Sequence, residues 1–249
     1  MGVFYQAMTQ FLGFTRYGEE WKVMGLAPYG EPKYVEQLRQ LVRTPQDGLF
    51  KLNLDYFVHH KENVEVNWLE GTPSVGRLWG PKWEDLLGPA RHPDDDFYGK
   101  WADIAHSAQV VYEEVLFHIL NRLHQKTGLS ALCMAGGCAL NSSANGKIFE
   151  RTPFKGLHIQ PAAGDDGTAI GAGLFVQHAL LNQPREFVMD HAYTGPEYSS
   201  LQIQEAIEST RTQDSSLFDG IQVAQYEDEA LVKKVAQHMA AGKVVGWFQ

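Results

Sequence analysis

Leu129-Ser130-Ala131-Leu132-Cys133-Met134-Ala135-Gly136-Gly137-Cys138-Ala139-Leu140-Asn141, followed by Leu157-His158-Ile159-Gln160-Pro161-Ala162-Ala163-Gly164-Asp165-Asp166-Gly167, decides the fold. Leu129–Met134 is a short apolar run that reads as a strand, and Gly136-Gly137 is a tight turn. Leu140–Phe149 then carries a helical pattern, Leu157–Gln160 reads as the next strand, and a helix is predicted from the second glycine loop to about Leu181. Strand, glycine turn, helix, repeated twice, predicts an α/β protein whose loops gather at one edge of the sheet.

Each loop has a chemical and a plain reading. A glycine pair after a strand lets backbone N–H groups approach an anion, and Asn141 could add a side-chain amide to a phosphate or ribose. The same glycines could serve only a turn that needs left-handed dihedrals. In the second loop, Asp165 and Asp166 among glycines could coordinate a divalent metal bridging phosphates, or could cap the following helix. Two such loops on successive strand–helix junctions could face each other across a nucleotide. The actin, sugar-kinase and chaperone superfamily holds nucleotides with this architecture.

Outward from this region, Val3, Ala7 and Phe11 repeat every four residues and predict an opening helix. Tyr17–Gly30 is rich in glycine and aromatics, and a second helix is expected from Glu31 or Pro32 to about Val42. Residues 45–100 are the least regular, with short strands expected near Leu49–Phe57 and then a long loop-rich excursion. Residues 101–127 carry the clearest helix, with Ile104, Ala108, Val111, Val115, Ile119 and Leu123 in one stripe and Gly128 as its stop. Pro184–Pro196 reads as a linker with a strand, Ser199 or Ser200 caps a helix to about Ser209, and Asp228–Ala241 is amphipathic. Lys243–Gln249 reads as a buried strand. A chain that opens in a helix and stops in an apolar strand is expected to be a piece of a longer one.

The 249 residues carry 21 basic and 30 acidic side chains, a formal net charge of −9. That balance offers no obvious face for nucleic acid or an anionic membrane. With 44% apolar residues and two cysteines, disordered and disulfide-framework classes are excluded. Cys133 and Cys138 read as reduced core thiols of a cytosolic protein. No apolar run reaches the roughly 18 residues that span a bilayer. The ten histidines show no metal-ligand spacing; His59-His60 and the helical His106, His118 and His124 read as structural, and Asp94-Asp95-Asp96 as a solvated loop.

Four stretches then become specific. Glu20–Gly30, Ala135–Asn141 with Asn145-Gly146-Lys147, Gln160–Gly167 and Val244–Gln249 resemble, in that order, the carbamoyltransferases of nodulation-factor and antibiotic biosynthesis. The resemblance covers essentially the whole chain. Members are well over twice as long and join a domain similar to the tRNA threonylcarbamoyl-transferase subunit to one similar to threonylcarbamoyl-adenylate synthase. It implies an actin/sugar-kinase-like (RNase H-like) nucleotide-binding lobe followed by the start of a second α/β domain. Residues 1–190 would be the later part of the first domain, 191–226 a linker region and 227–249 the truncated opening of the second.

The implied reaction uses ATP and carbamoyl phosphate to make carbamoyl-adenylate, and then transfers the carbamoyl group to a hydroxyl or amine of a small-molecule or sugar acceptor. By position Gly136, Gly137, Asn141 and Gly164 would cradle the nucleotide, with Glu20 and Lys22 near the ribose. Asp165 matches the single carboxylate that joins two histidines at a divalent metal (iron or magnesium), while Asp166 takes a neighbouring, non-ligand position. The histidine pair and the arginine-containing glycine motif of the family have no match here. The expectation is therefore that this stretch alone completes no catalytic cycle. A cytoplasmic location without membrane or nucleic-acid partners is expected, and a homodimer is admitted. The competing readings are a tRNA threonylcarbamoyl-transferase relative and a non-catalytic nucleotide-binding fragment.

Overall fold

The computed structural model describes all residues except Gly48, Glu70, Thr194 and Gln249. It contains α1 (Gly2–Phe11), α2 (Glu20–Leu26), α3 (Val35–Leu38), β1 (Val42–Arg43), β2 (Lys51–Leu52), β3 (Val66–Leu69), β4 (Thr72–Val75) and α4 (Lys82–Leu87). These are followed by α5 (Lys100–Thr127), β5 (Ala131–Met134), α6 (Ser142–Asn145), α7 (Ile148–Arg151), β6 (Gly156–Ile159), α8 (Thr168–Phe175), α9 (Ser200–Gln213) and α10 (Asp228–Ala240). The architecture is mixed α/β with small sheets: β1–β2 and β3–β4 are antiparallel pairs, and β5–β6 is parallel. The chain divides into two units, Met1–Pro184 and Arg185–Gln249.

The first unit is organised around α5. Ile104, Ala108, Val111 and Val115 are buried against Phe4, Ala7, Met8 and Phe11 of α1 and Val23 of α2. The stripe does not stay buried to its end, because Leu123 lies 40% exposed. Phe117 and Leu120, displaced round the helix, instead pack with Leu132 of β5, Ile148 of α7 and Phe154. One long helix thus joins two clusters. Gly128, at φ 67°, closes it by donating to the His124 carbonyl at 2.8 Å.

The described residues of 45–100 pack more closely than their composition suggests. Trp79 and Trp83 pack on Phe11 with ring centroids 5.2 and 5.5 Å away, and Phe57 lies 5.7 Å from Trp83. Gln10 fastens the segment by donating to the Val75 and Gly76 carbonyls and accepting from Leu78 N–H at 2.9 Å. Burying each such large apolar side chain contributes about 1.5–3 kcal/mol, so this excursion belongs to the core. The acidic loop is solvent-exposed; Asp95 and Asp96 accept backbone N–H groups of His92 and Tyr98.

Several expectations are corrected. The helix expected from residue 31 or 32 to 42 shrinks to α3: the Glu31 and Tyr34 N–H groups donate to Asp103 and Ser107 of α5, at 2.8 and 2.9 Å, and beyond Leu38 the chain tightens into turns in which Gln40 and Leu41 bond the carbonyls three residues back. Its end leaves the helix to pair Val42 with Leu52. Around Leu49–Phe57 only Lys51–Leu52 is a strand; Leu54–Tyr56 forms a 3-10 turn. Leu140–Phe149 is divided at Gly146 into α6 and α7. Cys133 is exposed, since its neighbour Leu132 takes the buried face of β5; both thiols are free.

In the second unit, Ser199 caps α9 reciprocally with Gln202, and α10 runs as predicted, but no described residue there is buried. The expected strands within Pro184–Pro196 and Lys243–Gln249 are absent among the described residues, and Val244 and Phe248 are fully or almost fully exposed. A strand needs a neighbour for its backbone groups, and the described residues of this unit supply none. Gln249 lies outside the described residues. Among them no helix is long and apolar enough to cross a membrane.

Candidate functional site

β5 and β6 run parallel in register, Ala131 opposite Gly156 through Met134 opposite Ile159, so both glycine loops leave from the same edge. They are bonded to each other: Gly136 N–H donates to the Ala163 carbonyl at 2.7 Å. Gly136 has φ 92° and ψ 160°, a conformation essentially confined to glycine. A Cβ added at Gly136 or Gly137 would meet nothing within 4 Å, so the first loop opens onto free space. The following turn takes the Ala139 and Asn141 N–H groups, to the Gly136 and Cys138 carbonyls. Among the described residues the N–H groups of Gly137 and Cys138 have no hydrogen-bond acceptor. Two consecutive unsatisfied donors beside an open space form a place for an anion.

The second loop is tightly folded. A Cβ at Gly167 would lie 2.0 Å from the Ala162 carbonyl oxygen, so no side chain fits there. Gly164 approaches the first loop, its added Cβ falling 3.8 Å from Leu140. Asp165 and Asp166 are exposed and stand in the first turn of the short 3-10 helix of this loop; neither makes a side-chain cap bond, so they lie at a helix start without capping it. Among the described residues no group of three His, Cys, Asp or Glu could hold a metal ion. Asp165 offers one exposed carboxylate, which by itself does not fit a metal centre.

Asn141 is turned inward. Its Oδ1 accepts from Ala144 N–H, capping α6, and from Gln109 Nε2; its Nδ2 donates to Gln109 Oε1, each at 3.0 Å. Gln109 also receives the Tyr5 hydroxyl at 2.8 Å and donates to Glu113 at 2.9 Å. Lys147 Nζ meets both Glu113 oxygens at 2.7 Å. The Tyr112 hydroxyl donates to the Cys138 carbonyl at 2.8 Å, and Asn145 Nδ2 to the Ala139 carbonyl at 2.7 Å. Burial pushes the Tyr5 and Tyr112 phenols well above their usual range, so both remain donors at any physiological pH.

Lys22 and Glu20 stand on α2, which touches the start of α6, just after the first loop, where Ser142 Oγ lies 3.6 Å from Met24 Sδ. Lys22 is occupied by Glu19 and lies over the Phe14 and Trp21 rings, at 5.3 and 5.7 Å. Burial alone would raise the Glu19 carboxyl, but Lys22 and the Arg16 N–H outweigh it and hold it below its ordinary value. Glu20 faces a small pocket shared with Gln6, Phe14 and Thr15. The structure thus brings Gly136, Gly137 and Gly164 together, places Asp165 beside them, and sets Lys22 and Glu20 on an adjoining helix.

Pro28-Tyr29-Gly30 has a packing role. A Cβ at Gly30 would fall 2.0 Å from the Ala102 carbonyl oxygen of α5. His106 and His118 bond the Ala27 and Pro45 carbonyls, and His124 stacks edge-on to Phe154, so the helical histidines are structural. The residues that sequence reasoning missed are Tyr5, Gln109, Tyr112 and Glu113. The available signal was Gln109 and Glu113, polar at i, i+4, flanking an apolar stripe.

The carbamoyltransferase N-terminus family model matches residues 1–174. An uncharacterized protein of Synechocystis sp. is 40% identical over the whole chain, which covers 38% of that relative. The nodulation protein NolO of Bradyrhizobium diazoefficiens is 31% identical, and NolNO of Sinorhizobium fredii 30%; the whole chain aligns with 40% and 32% of their lengths. The chain thus spans two fifths or less of these relatives. With its paired glycine loops inside the matched residues, the chain belongs to the carbamoyltransferase family, whose N-terminal domain accounts for residues 1–174.

Proposed function

We propose that this chain forms the nucleotide-holding, carbamoyl-transferring part of an ATP-dependent carbamoyltransferase. It would move a carbamoyl group from carbamoyl phosphate, via carbamoyl-adenylate, to a hydroxyl or amine of a small-molecule or sugar acceptor. The observation that carries this reading is the pair of unsatisfied N–H groups at Gly137 and Cys138, set where two bonded glycine loops leave a parallel strand pair.

In the transfer step the acceptor's oxygen or nitrogen bonds to the carbamoyl carbon and the bond from that carbon to the adenylate oxygen breaks. AMP leaves with the negative charge on its phosphate, and the acceptor loses a proton. Backbone donors already aimed at that phosphate stabilise the charge as it develops, without reorganising. Gly136, Gly137 and Gly164 are the cradle in this reading, Glu20 and Lys22 lie towards the ribose, and the lobe is of the actin/sugar-kinase type. Asp165 is the carboxylate this chain would offer a divalent metal; lacking a complete donor set, no step is assigned to it. Residues 227–249 would open the adenylate-forming domain.

Binding of adenine nucleotide, AMP and ATP, measured calorimetrically on the wild-type chain and on Gly137→Trp tests the reading. Because a Cβ at Gly137 meets nothing within 4 Å, the substitution begins in open space, and the indole is meant to fill the cradle. Heat with the wild type and none with the variant is expected; equal heats, or none in the wild type, would refute it. Turnover of carbamoyl phosphate by the 249 residues alone is not expected.

A further inference from the structure

We infer that Gln109 and Glu113 of α5 are positioning residues that set the direction of the Gly137 and Cys138 N–H groups, and that the Asn141 amide serves the loop rather than the ligand. The inference rests on the phosphate-holding reading for its meaning, but its geometry stands independently. Gln109, Glu113 and Asn141 are all buried. Asn141 spends its Oδ1 on Ala144 and Gln109 and an Nδ2 hydrogen on Gln109. Little of this amide remains for a phosphate. Glu113 holds Gln109 from behind and is itself held by Lys147, six residues beyond Asn141.

The loop is therefore pinned to α5 at three points, the Cys138 carbonyl by Tyr112, Asn141 by Gln109 and Lys147 by Glu113, and to the second loop at Gly136. The two free N–H groups lie between these points. Their direction follows from α5, and the Gly136–Ala163 bond carries it to the Asp165 loop. An ion pair between a buried carboxylate and a half-exposed lysine is a poor source of stability, since desolvation offsets attraction. Its geometry is what it fixes.

Cys138, half-buried within the loop, reports the loop's position without any ligand, and exposed Cys133 supplies an internal standard. Reaction of the wild-type chain with an aromatic disulfide reagent should show a fast thiol and a slow one. In Gln109→Leu, and in Glu113→Leu, the slow thiol is expected to react about tenfold faster, the scale of losing one buried hydrogen bond. Cys133 should be unchanged, and ATP affinity should fall by a similar factor. Glu113→Gln keeps an oxygen that accepts from Gln109 and Lys147 and should restore both values to near wild type, which a general loss of packing would not predict. Should Gln109→Leu not fold, Asn141→Asp removes the Nδ2 donor while keeping the cap of α6. An unchanged Cys138 rate in a folded Gln109→Leu or Asn141→Asp chain would overturn the inference. Absence of ATP binding in the wild type would instead refute the nucleotide reading, leaving the thiol rates to decide the positioning role.

Discussion

Gly30→Ala and Gly25→Ala, five residues apart, should shift stability in opposite directions. At Gly30 the new methyl would fall 2.0 Å from the Ala102 carbonyl oxygen, whereas at Gly25 it would meet nothing within 4 Å. Relieving the first contact to an ordinary separation moves the segment from α5 by at least ~1 Å, enough to spoil aligned hydrogen bonds. Two such bonds lie next to it, Glu31 N–H to Asp103 and Tyr34 N–H to Ser107. Losing both costs about 2–3 kcal/mol, and strain in a packed interface adds roughly 1–3 kcal/mol. A loss of about 3–6 kcal/mol follows, which at a urea slope of about 2 kcal/mol per M lowers the unfolding midpoint by roughly 1.5–3 M. Gly25→Ala instead removes a flexible residue from α2 and should stabilise by about 0.5–1 kcal/mol. Urea unfolding followed by tryptophan fluorescence reads both, since Trp79 and Trp83 lie in the same core. A Gly30→Ala chain that unfolds at or above the wild-type midpoint would refute the close approach of the Pro-Tyr-Gly segment to α5.

Two further outcomes follow from charge and dihedral. Burial alone would raise the Asp103 carboxyl, but Lys33 and the Glu31 N–H outweigh burial and hold it below its ordinary value. Its contribution is therefore present above the unfolded carboxyl value near 3.9 and is lost as pH falls through the folded one; Asp103→Asn should flatten the fall in urea midpoint between pH 5 and pH 3, and an unchanged slope would contradict this. Gly136→Ala meets no steric contact but sits at φ 92°, so strain of roughly 1–3 kcal/mol should turn the loop. Calorimetry should then show ATP affinity falling about tenfold or more, and full affinity would count against the dihedral argument.

What was legible and what was not divide by distance along the chain. The α5 stripe, its stop at Gly128, the opening helix and the order strand–glycine loop–strand–glycine loop are local patterns, and each appears in the structure at its expected place. Trp79, Trp83 and the Gln10 bonds were invisible because they depend on which distant segments meet, and nothing in residues 45–100 repeats. The bonds from Glu31 and Tyr34 to Asp103 and Ser107 of α5 were equally invisible, since their acceptors lie more than seventy residues away. The candidate site shows the same division more sharply. Its donors are backbone N–H groups, which every residue but proline carries, so the sequence marks only where glycine permits them to face outward. Asn141 reads as an amide for a phosphate or ribose, yet it is bonded to Gln109, thirty-two residues earlier, and to Ala144 N–H. A site made of backbone takes its precision from whatever holds the loop. Substitutions in α5, at Gln109 or Glu113, should therefore perturb ligand binding at this site as surely as substitutions in the loop itself.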